Sequence, residues 1–304
     1  MRLRPAEYRA GRLVEMAKRI GVHLGTAGGA SNAVQRAKEI GANTLQIFTS
    51  SPRMWRAPAP DLRQCERVRK LRSELDVGPL VVHTSYLVNV CSQTKEFREK
   101  SVIAFRGEIE RALAFGAEYL VLHPGSWKGM TRGEGLKLAA ESIARAIDGQ
   151  PWQGTDFTIL IENTAGAECS LGGSFDQVAE LVALLQAHGP VGVCLDTCHT
   201  HVSGYDVVTD DGYKATMKQA AETFGLDAVR VWHCNDAKAE RGSKLDRHEH
   251  IGQGKLGVEP FRRLLNDKRF AHCAFVAETP VDAEGDEESN VRVLKRLVNE
   301  SPRR

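Results

Sequence analysis

Six side chains able to hold a metal ion recur along this chain, His83, His123, Glu162, Asp196, His233 and Glu278, spaced 34 to 45 positions apart. Each stands at or near the end of a short apolar run rich in β-formers. A carboxylate in such a run is costly to bury unless it is paired or bound to a cation. That makes Glu162 in TILIENT, Asp196 in VGVCLDT and Glu278 in AFVAET informative. One alone is equally well explained by hydrogen bonds to loop backbone; six in the same relative position are not. Three further candidates are His199 in DTCHTH and the pair Asp246 and His248 in DRH. Alternate residues of an extended segment point the same way, so Asp246 and His248 can grip one ion while Arg247 faces elsewhere. Taken by itself, a loop DxH reads as a solvated connection.

Five imidazoles and four carboxylates, with no thiolate required, suit Zn2+, which activates water when one coordination position stays open. Mn2+ or Fe2+ are acceptable substitutes for the same donors. Charge suggests how many ions. Three divalent cations against four carboxylates leave a surplus of two positive charges, which a phosphodiester and a hydroxide would neutralise. One cation would leave negative charge that repels a phosphate, and two would leave no positive charge to neutralise the phosphodiester and the hydroxide.

The elements that must bring these groups together are eight β-rich runs: GVHLG (21–25), TLQIFTS (44–50), PLVVHTSY (79–86), YLVLHPG (119–125), TILIENT (158–164), VGVCLDTCH (191–199), VRVWHCND (229–236) and AFVAETP (274–280). Segments of helical spacing lie between them. In one, Ile103, Ile109, Ala112 and Leu113 are expected to share an apolar stripe that Gly116 ends. Strand then helix, eight times, is the grammar of a single-domain (β/α)8 TIM barrel, and the ends of its parallel strands converge on one face where barrel active sites sit. An open doubly wound sheet uses the same alternation, but eight units without a composition break favour closure. The expected domains are an N-terminal appendage, residues 1–18, and a barrel, residues 19–304.

With 304 residues, 42% hydrophobic and 26% charged, the chain has ample material for a core, which excludes disordered and fibrous classes. Forty-one basic side chains nearly cancel 39 acidic ones, so any nucleic-acid contact must come from local groups. Seven cysteines without paired short spacing read as reduced thiols, and no run is long enough to span a membrane. A cytoplasmic protein is expected. Gly252, Gly254 and Gly257 spell G-x-G-x-x-G, but the polar KLDRHEHI before them is no strand, so a nucleotide cofactor is rejected. The glycines are expected instead to let the loop close over a phosphate. Cys194 and Cys198 flank Asp196 with three residues between them, unlike a zinc knuckle, and are read as packing thiols.

The motifs HTSYLVN (83–89), HPGS (123–126), IENTAG (161–166), LDTCH (195–199), DRHEHIGQGKLG (246–257) and ETP (278–280), in that order, resemble the endonuclease IV family of zinc-dependent apurinic/apyrimidinic endonucleases. The resemblance implies three zinc ions. His83, His123 and Glu162 would hold one; Glu162 would bridge to a second on Asp196, His233 and Glu278; His199, Asp246 and His248 would hold the third. It also implies hydrolysis 5′ to an abasic site in duplex DNA by a metal-bridged hydroxide, with Glu162 and Glu278 catalytic, and trimming of blocked 3′ ends. Arg53, Trp55, Tyr86, Leu87 and Asn89, on the loops after the second and third runs, are the expected DNA contacts, with Arg53, Tyr86 and Leu87 propping the bent duplex. A monomer is expected, because DNA must occupy the open face. The chain departs from the family pattern at Ala167, Glu168 and Cys169 after NTAG, and at Trp127 after HPGS, where histidine is common. A sugar isomerase or epimerase on the same barrel would use Glu162, Asp196, His233 and Glu278 around one ion, but would leave His199, Asp246 and His248 without a task. A noncatalytic DNA-binding barrel would have lost ligands, and none is missing.

Overall fold

A computed structural model describes residues 17–298, so the expected appendage lies outside the described residues except for its last two positions. The strands are β1 (Arg19–His23), β2 (Thr44–Ile47), β3 (Leu80–His83), β4 (Tyr119–Leu122), β5 (Thr158–Glu162), β6 (Val191–Asp196), β7 (Val229–His233), β8 (Asp236–Ala237), β9 (His248–Glu249) and β10 (Ala274–Ala277). The helices are α1 (Ala30–Glu39), α2 (Leu62–Leu75), α3 (Lys95–Phe115), α4 (Arg132–Ile147), α5 (Phe175–Leu185), α6 (Thr197–Val202), α7 (Asp210–Thr223), α8 (Glu259–Asn266) and α9 (Asp286–Leu297). Eight parallel strands close in the order β1-β10-β7-β6-β5-β4-β3-β2; seven of the predicted runs contain a strand, and the first, 21–25, overlaps β1, which begins two residues earlier at Arg19. The short pair β8 and β9 forms a separate antiparallel ribbon within the loop that follows β7.

Local chemistry sets the helix ends. Asp61 caps α2 by accepting from the N–H groups of Arg63 and Gln64, and Thr131 with Glu134 forms a reciprocal capping box on α4. Gly116 stops α3 in the left-handed region at φ 66°, as predicted. The apolar stripe of that helix is rotated from the expected one. Val102, Phe105, Ile109 and Ala112 face the strands, whereas Ile103 is 63% exposed. At about 100° per residue, a face led by Val102 and Phe105 turns Ile103 outward.

The barrel interior is filled by Val81, Val121, Leu160, Cys194, Val231, Ala274 and Val276, a cluster separate from the one between strands and helices. Strand side chains alternate between faces. Two residues beyond Val81, Val121, Leu160, Cys194, Val231 and Val276 stand His83, His123, Glu162, Asp196, His233 and Glu278. The six therefore form the next layer of the same interior, at its C-terminal mouth. Among the described residues, no helix is long and apolar enough to cross a membrane.

Candidate metal centre

Glu162, fully buried, is the hub of that layer. His123 Nε2 lies 2.8 Å and His83 Nε2 3.4 Å from its Oε2, while His233 Nδ1 lies 2.9 Å and His199 Nδ1 3.3 Å from its Oε1. Asp196 ends β6 and caps α6, accepting from the backbone N–H of His199 at 2.7 Å, which turns the His199 ring over the site. Asp246 sits 3.2 Å from His199 Nε2 and 3.3 Å from His248 Nε2. All nine residues expected from sequence thus meet. They form overlapping groups of donors within 4.8 Å of one another: His83 with His123 and Glu162; Glu162 with Asp196, His233 and Glu278; Asp196 with His199 and His248. Asp246 lies against both imidazoles of the last group and falls within a further group with His248 and Cys198.

The imidazoles are aimed by backbone. Nδ1 of His83 donates to Thr84 O at 2.8 Å, that of His199 to Asn163 O at 2.9 Å and that of His248 to Glu278 O at 3.2 Å. In each, the lone pair on Nε2 is left facing the cluster, as a ligating histidine requires. Glu162 Oε2, His199 Nε2 and His248 Nε2 are buried yet make no hydrogen bond; the close approach of His123 is not aligned as one. A buried polar atom without a partner costs about 1–3 kcal/mol. Three converging on one place fit a cation as their missing partner, and the oxygen and imidazole set fits Zn2+.

The titrations reflect the same crowding. Burial opposes ionisation of Glu162, but His123 and His233 outweigh it and hold the carboxyl well below its usual range. Burial likewise disfavours the Glu278 anion, but His233 and His83 bring it down to about 2. Burial disfavours the imidazolium of His248, but the adjacent Asp246 carboxylate and the field of Asp196 raise it to about 9. His83 and His199 are raised too, against burial, by their carboxylate neighbours. A divalent ion would take the place of these protons, so binding should release them. Cys194 and Cys198 lie beside the donors, but burial pushes the Cys194 thiol up to about 12 and raises Cys198 as well, in keeping with neutral packing thiols.

Several members of the site were not anticipated. Gln46, at the same interior level of β2, accepts from His233 Nε2 at 2.8 Å and donates to Glu278 Oε1 and to His23 Nδ1, the last at 3.0 Å. Burial keeps His23 neutral by lowering it to about 4, which suits its role as acceptor. Asn235 donates to Asp196 Oδ2 at 2.6 Å and accepts from the N–H of Glu278 at 2.7 Å. A polar residue two beyond Thr44 in an otherwise apolar run was the legible signal for Gln46; nothing local marks Asn235. Replacing Gln46 with Leu should free both His233 and Glu278 and weaken zinc affinity about 10- to 100-fold. Competition against a chromogenic chelator measures this, and a change below about twofold would deny Gln46 the role.

An open cavity of about 370 Å³ lies over the cluster, lined among others by Phe48, His83, Tyr86, His123, Asp246, His248 and Glu278. Tyr86 stands on its rim, 74% exposed, with its ring 5.2 Å from that of Phe48. Arg53 is exposed on the neighbouring loop, which Ser85 ties down by donating to Pro52 O at 2.7 Å. Beneath it, Thr49 donates to the buried Glu108, itself 3.0 Å from Arg111. Leu87 is half-buried. Trp55 packs edge-on to Phe97 at 5.0 Å and lines a different cavity. The Asn89 amide is engaged by Ser126, from whose N–H it accepts at 3.1 Å and to whose carbonyl it donates at 3.3 Å. The glycine-rich loop also departs from expectation. The N–H groups of Gly252, Gly254 and Leu256 donate to the carboxylate of Asp236, so they are not free to hold a phosphate.

Fold and site define a class: a (β/α)8 barrel that gathers imidazoles and carboxylates suited to divalent cations at its C-terminal mouth. Residues 34–297 match the family model described as Xylose isomerase-like TIM barrel. The chain is 46% identical over 287 residues to a "Probable endonuclease 4" of Solibacter usitatus, covering 92% of this chain and 97% of that protein. It is 37% identical over 281 residues to one of Chloroflexus aurantiacus, covering 92% and 98%. Among solved structures, endonuclease IV from Thermus thermophilus superposes with a TM-score of 0.81 at 36% identity, covering 92% of this chain and 98% of that one. A D-tagatose 3-epimerase-like protein, at 18% identity and a TM-score of 0.68, shares the fold. The chain belongs to the endonuclease IV family of xylose isomerase-like TIM barrels.

Proposed function

We propose that this protein is a metal-dependent endonuclease of base-excision repair, hydrolysing the phosphodiester 5′ to an abasic nucleotide in duplex DNA. The products are a 3′-hydroxyl and a 5′-deoxyribose phosphate; blocked 3′ ends are a second substrate of the same site. The observation that carries the reading is the convergence of overlapping donor groups, with orphaned lone pairs, on one open cavity. The endonuclease 4 relatives support it. Three zinc ions are assigned: to His83, His123 and Glu162; to Glu162, Asp196, His233 and Glu278; and to His199, Asp246 and His248. Bound there, zinc would supply a nucleophile from water near neutral pH and neutralise charge on the reacting phosphate.

The chain's own groups do the rest. Glu278, ionised and held through Oε1 by Gln46, is assigned to orient the attacking water. Glu162 fixes the separation of the donor groups on its two sides. Arg53 is assigned to a phosphate, and Tyr86 with Leu87 to the gap left by the missing base. Trp55 and Asn89 are assigned to holding these loops, through Phe97 and Ser126, rather than to direct contact.

Incision of a duplex containing one tetrahydrofuran abasic analogue, with elemental analysis of the same preparation, tests the proposal. Cleavage on the 5′ side that a chelator abolishes and zinc restores is expected. Absence of incision by metal-replete protein, with an aldose or ketose interconverted instead, would overturn it in favour of a sugar isomerase. In the same assay Tyr86→Ala should raise KM for the abasic duplex roughly tenfold or more, since an aromatic on a base face is worth about 1–3 kcal/mol. Its zinc content should not change. An unaltered KM would remove Tyr86 from the DNA face.

A further inference from the structure

The third donor group is built unlike the other two. Its Asp246 and His248 come from the long loop after β7, not from a barrel strand. What gives that loop a defined position is Asp236, fully buried at its neck. The Asp236 carboxylate accepts four backbone N–H groups, with Oδ1 taking Ala237 at 2.8 Å and Leu256 at 2.9 Å, and Oδ2 taking Gly252 at 2.9 Å and Gly254 at 3.0 Å. A carboxylate has about four acceptor positions, so this one is saturated. The contacts come from both ends of the loop and staple its exit to its return.

The staple fixes register. Next to it, β8 and β9 pair antiparallel with Ala237 opposite His248, and Lys238 N–H donates to Arg247 O at 2.9 Å. On the return side, Lys255 N–H donates to Ala237 O at 2.8 Å. Strand side chains alternate, so a slip of one residue would turn His248 away from the site and bring Arg247 in. The glycines serve this closure. A Cβ on Gly254 would lie 2.4 Å from Ala237 O and 2.5 Å from Asp236 Oδ1, and Gly252 has φ 83°. A motif that superficially suggests a dinucleotide site thus embraces a carboxylate of its own chain.

We infer that Asp236 is a positioning residue for the third metal ion, setting the register in which the loop delivers Asp246 and His248. The inference rests on the three-ion reading above, and its test separates the two. Asp236→Asn puts an amide donor against backbone donors. Expected are an unchanged fold by circular dichroism, loss of about one zinc equivalent from dialysed protein, and trypsin cleavage at Lys238, Arg241, Lys244 and Arg247 at least about tenfold faster than in the wild type. Gly254→Ala attacks the same closure by bulk and carries the test if Asp236→Asn does not fold. His248→Ala serves as the contrast: it should lose zinc while the loop stays protected. Wild-type zinc content and wild-type cleavage in both Asp236→Asn and Gly254→Ala would overturn the inference. A wild-type protein that binds no zinc would instead overturn the metal reading, and the comparison of cleavage rates would still decide whether Asp236 holds the loop.

Discussion

Glu162→Gln should reduce bound zinc by about two equivalents and slow abasic-site incision by about 10³-fold or more. Glu162 is shared by the group of His83 and His123 and by that of Asp196, His233 and Glu278, and both of its oxygens face imidazoles. Glutamine keeps the shape but removes the charge, and it turns one oxygen into an N–H donor directed at ring nitrogens. An ion that stabilises transition-state charge is worth several kcal/mol, and each 1.36 kcal/mol is about tenfold in rate. The metal-free protein should suffer as well. Breaking a buried pair by removing one partner costs about 3–5 kcal/mol when the remaining charge stays buried. Here the histidines can relieve part of that by giving up protons. Elemental analysis, single-turnover incision and thermal unfolding of the chelated protein check the three parts. Retention of full zinc content would contradict the hub assignment.

His248→Ala should lose about one zinc equivalent and leave the other two, while incision falls by at least about 10²-fold, because each ion has a separate task. The ring is held by the Glu278 carbonyl, and its free Nε2 faces Asp246 and Asp196. No donor of the His83, His123 and Glu162 group touches it, so the loss should be local. The expected signature is fractional: two ions retained with chemistry slowed, and Kd for abasic duplex changed little. Unchanged stoichiometry and rate would remove the third ion from the mechanism. Loss of all three would mean that the donor groups do not fill independently.

Most of the architecture was legible because the barrel repeats its signal. Each barrel strand is a short apolar run, and six of them carry, at the end or just past it, a residue whose burial would be unfavourable without a partner. His83, His123, Glu162, Asp196, His233 and Glu278 could therefore be picked by position and chemistry together. The same logic was available for His23 and Gln46 in the first two strands, but a neutral amide in an apolar run carries a weaker penalty than a carboxylate and so a weaker signal. On α3 the two candidate stripes differ by a small rotation, and what selects Val102 over Ile103 is packing against the barrel.

From sequence alone came the closed ring of strands, the donor residues and their gathering at one mouth, because periodicity and the cost of buried charge are local properties of the chain. Tertiary structure decided the rest: that Asn89 holds Ser126, that Gln46 joins His233 to Glu278, that the glycine loop grips Asp236. Each of these is a hydrogen bond whose partner is set by three-dimensional position. A side-chain amide or a backbone N–H looks the same in the sequence whether it meets a ligand or its own chain.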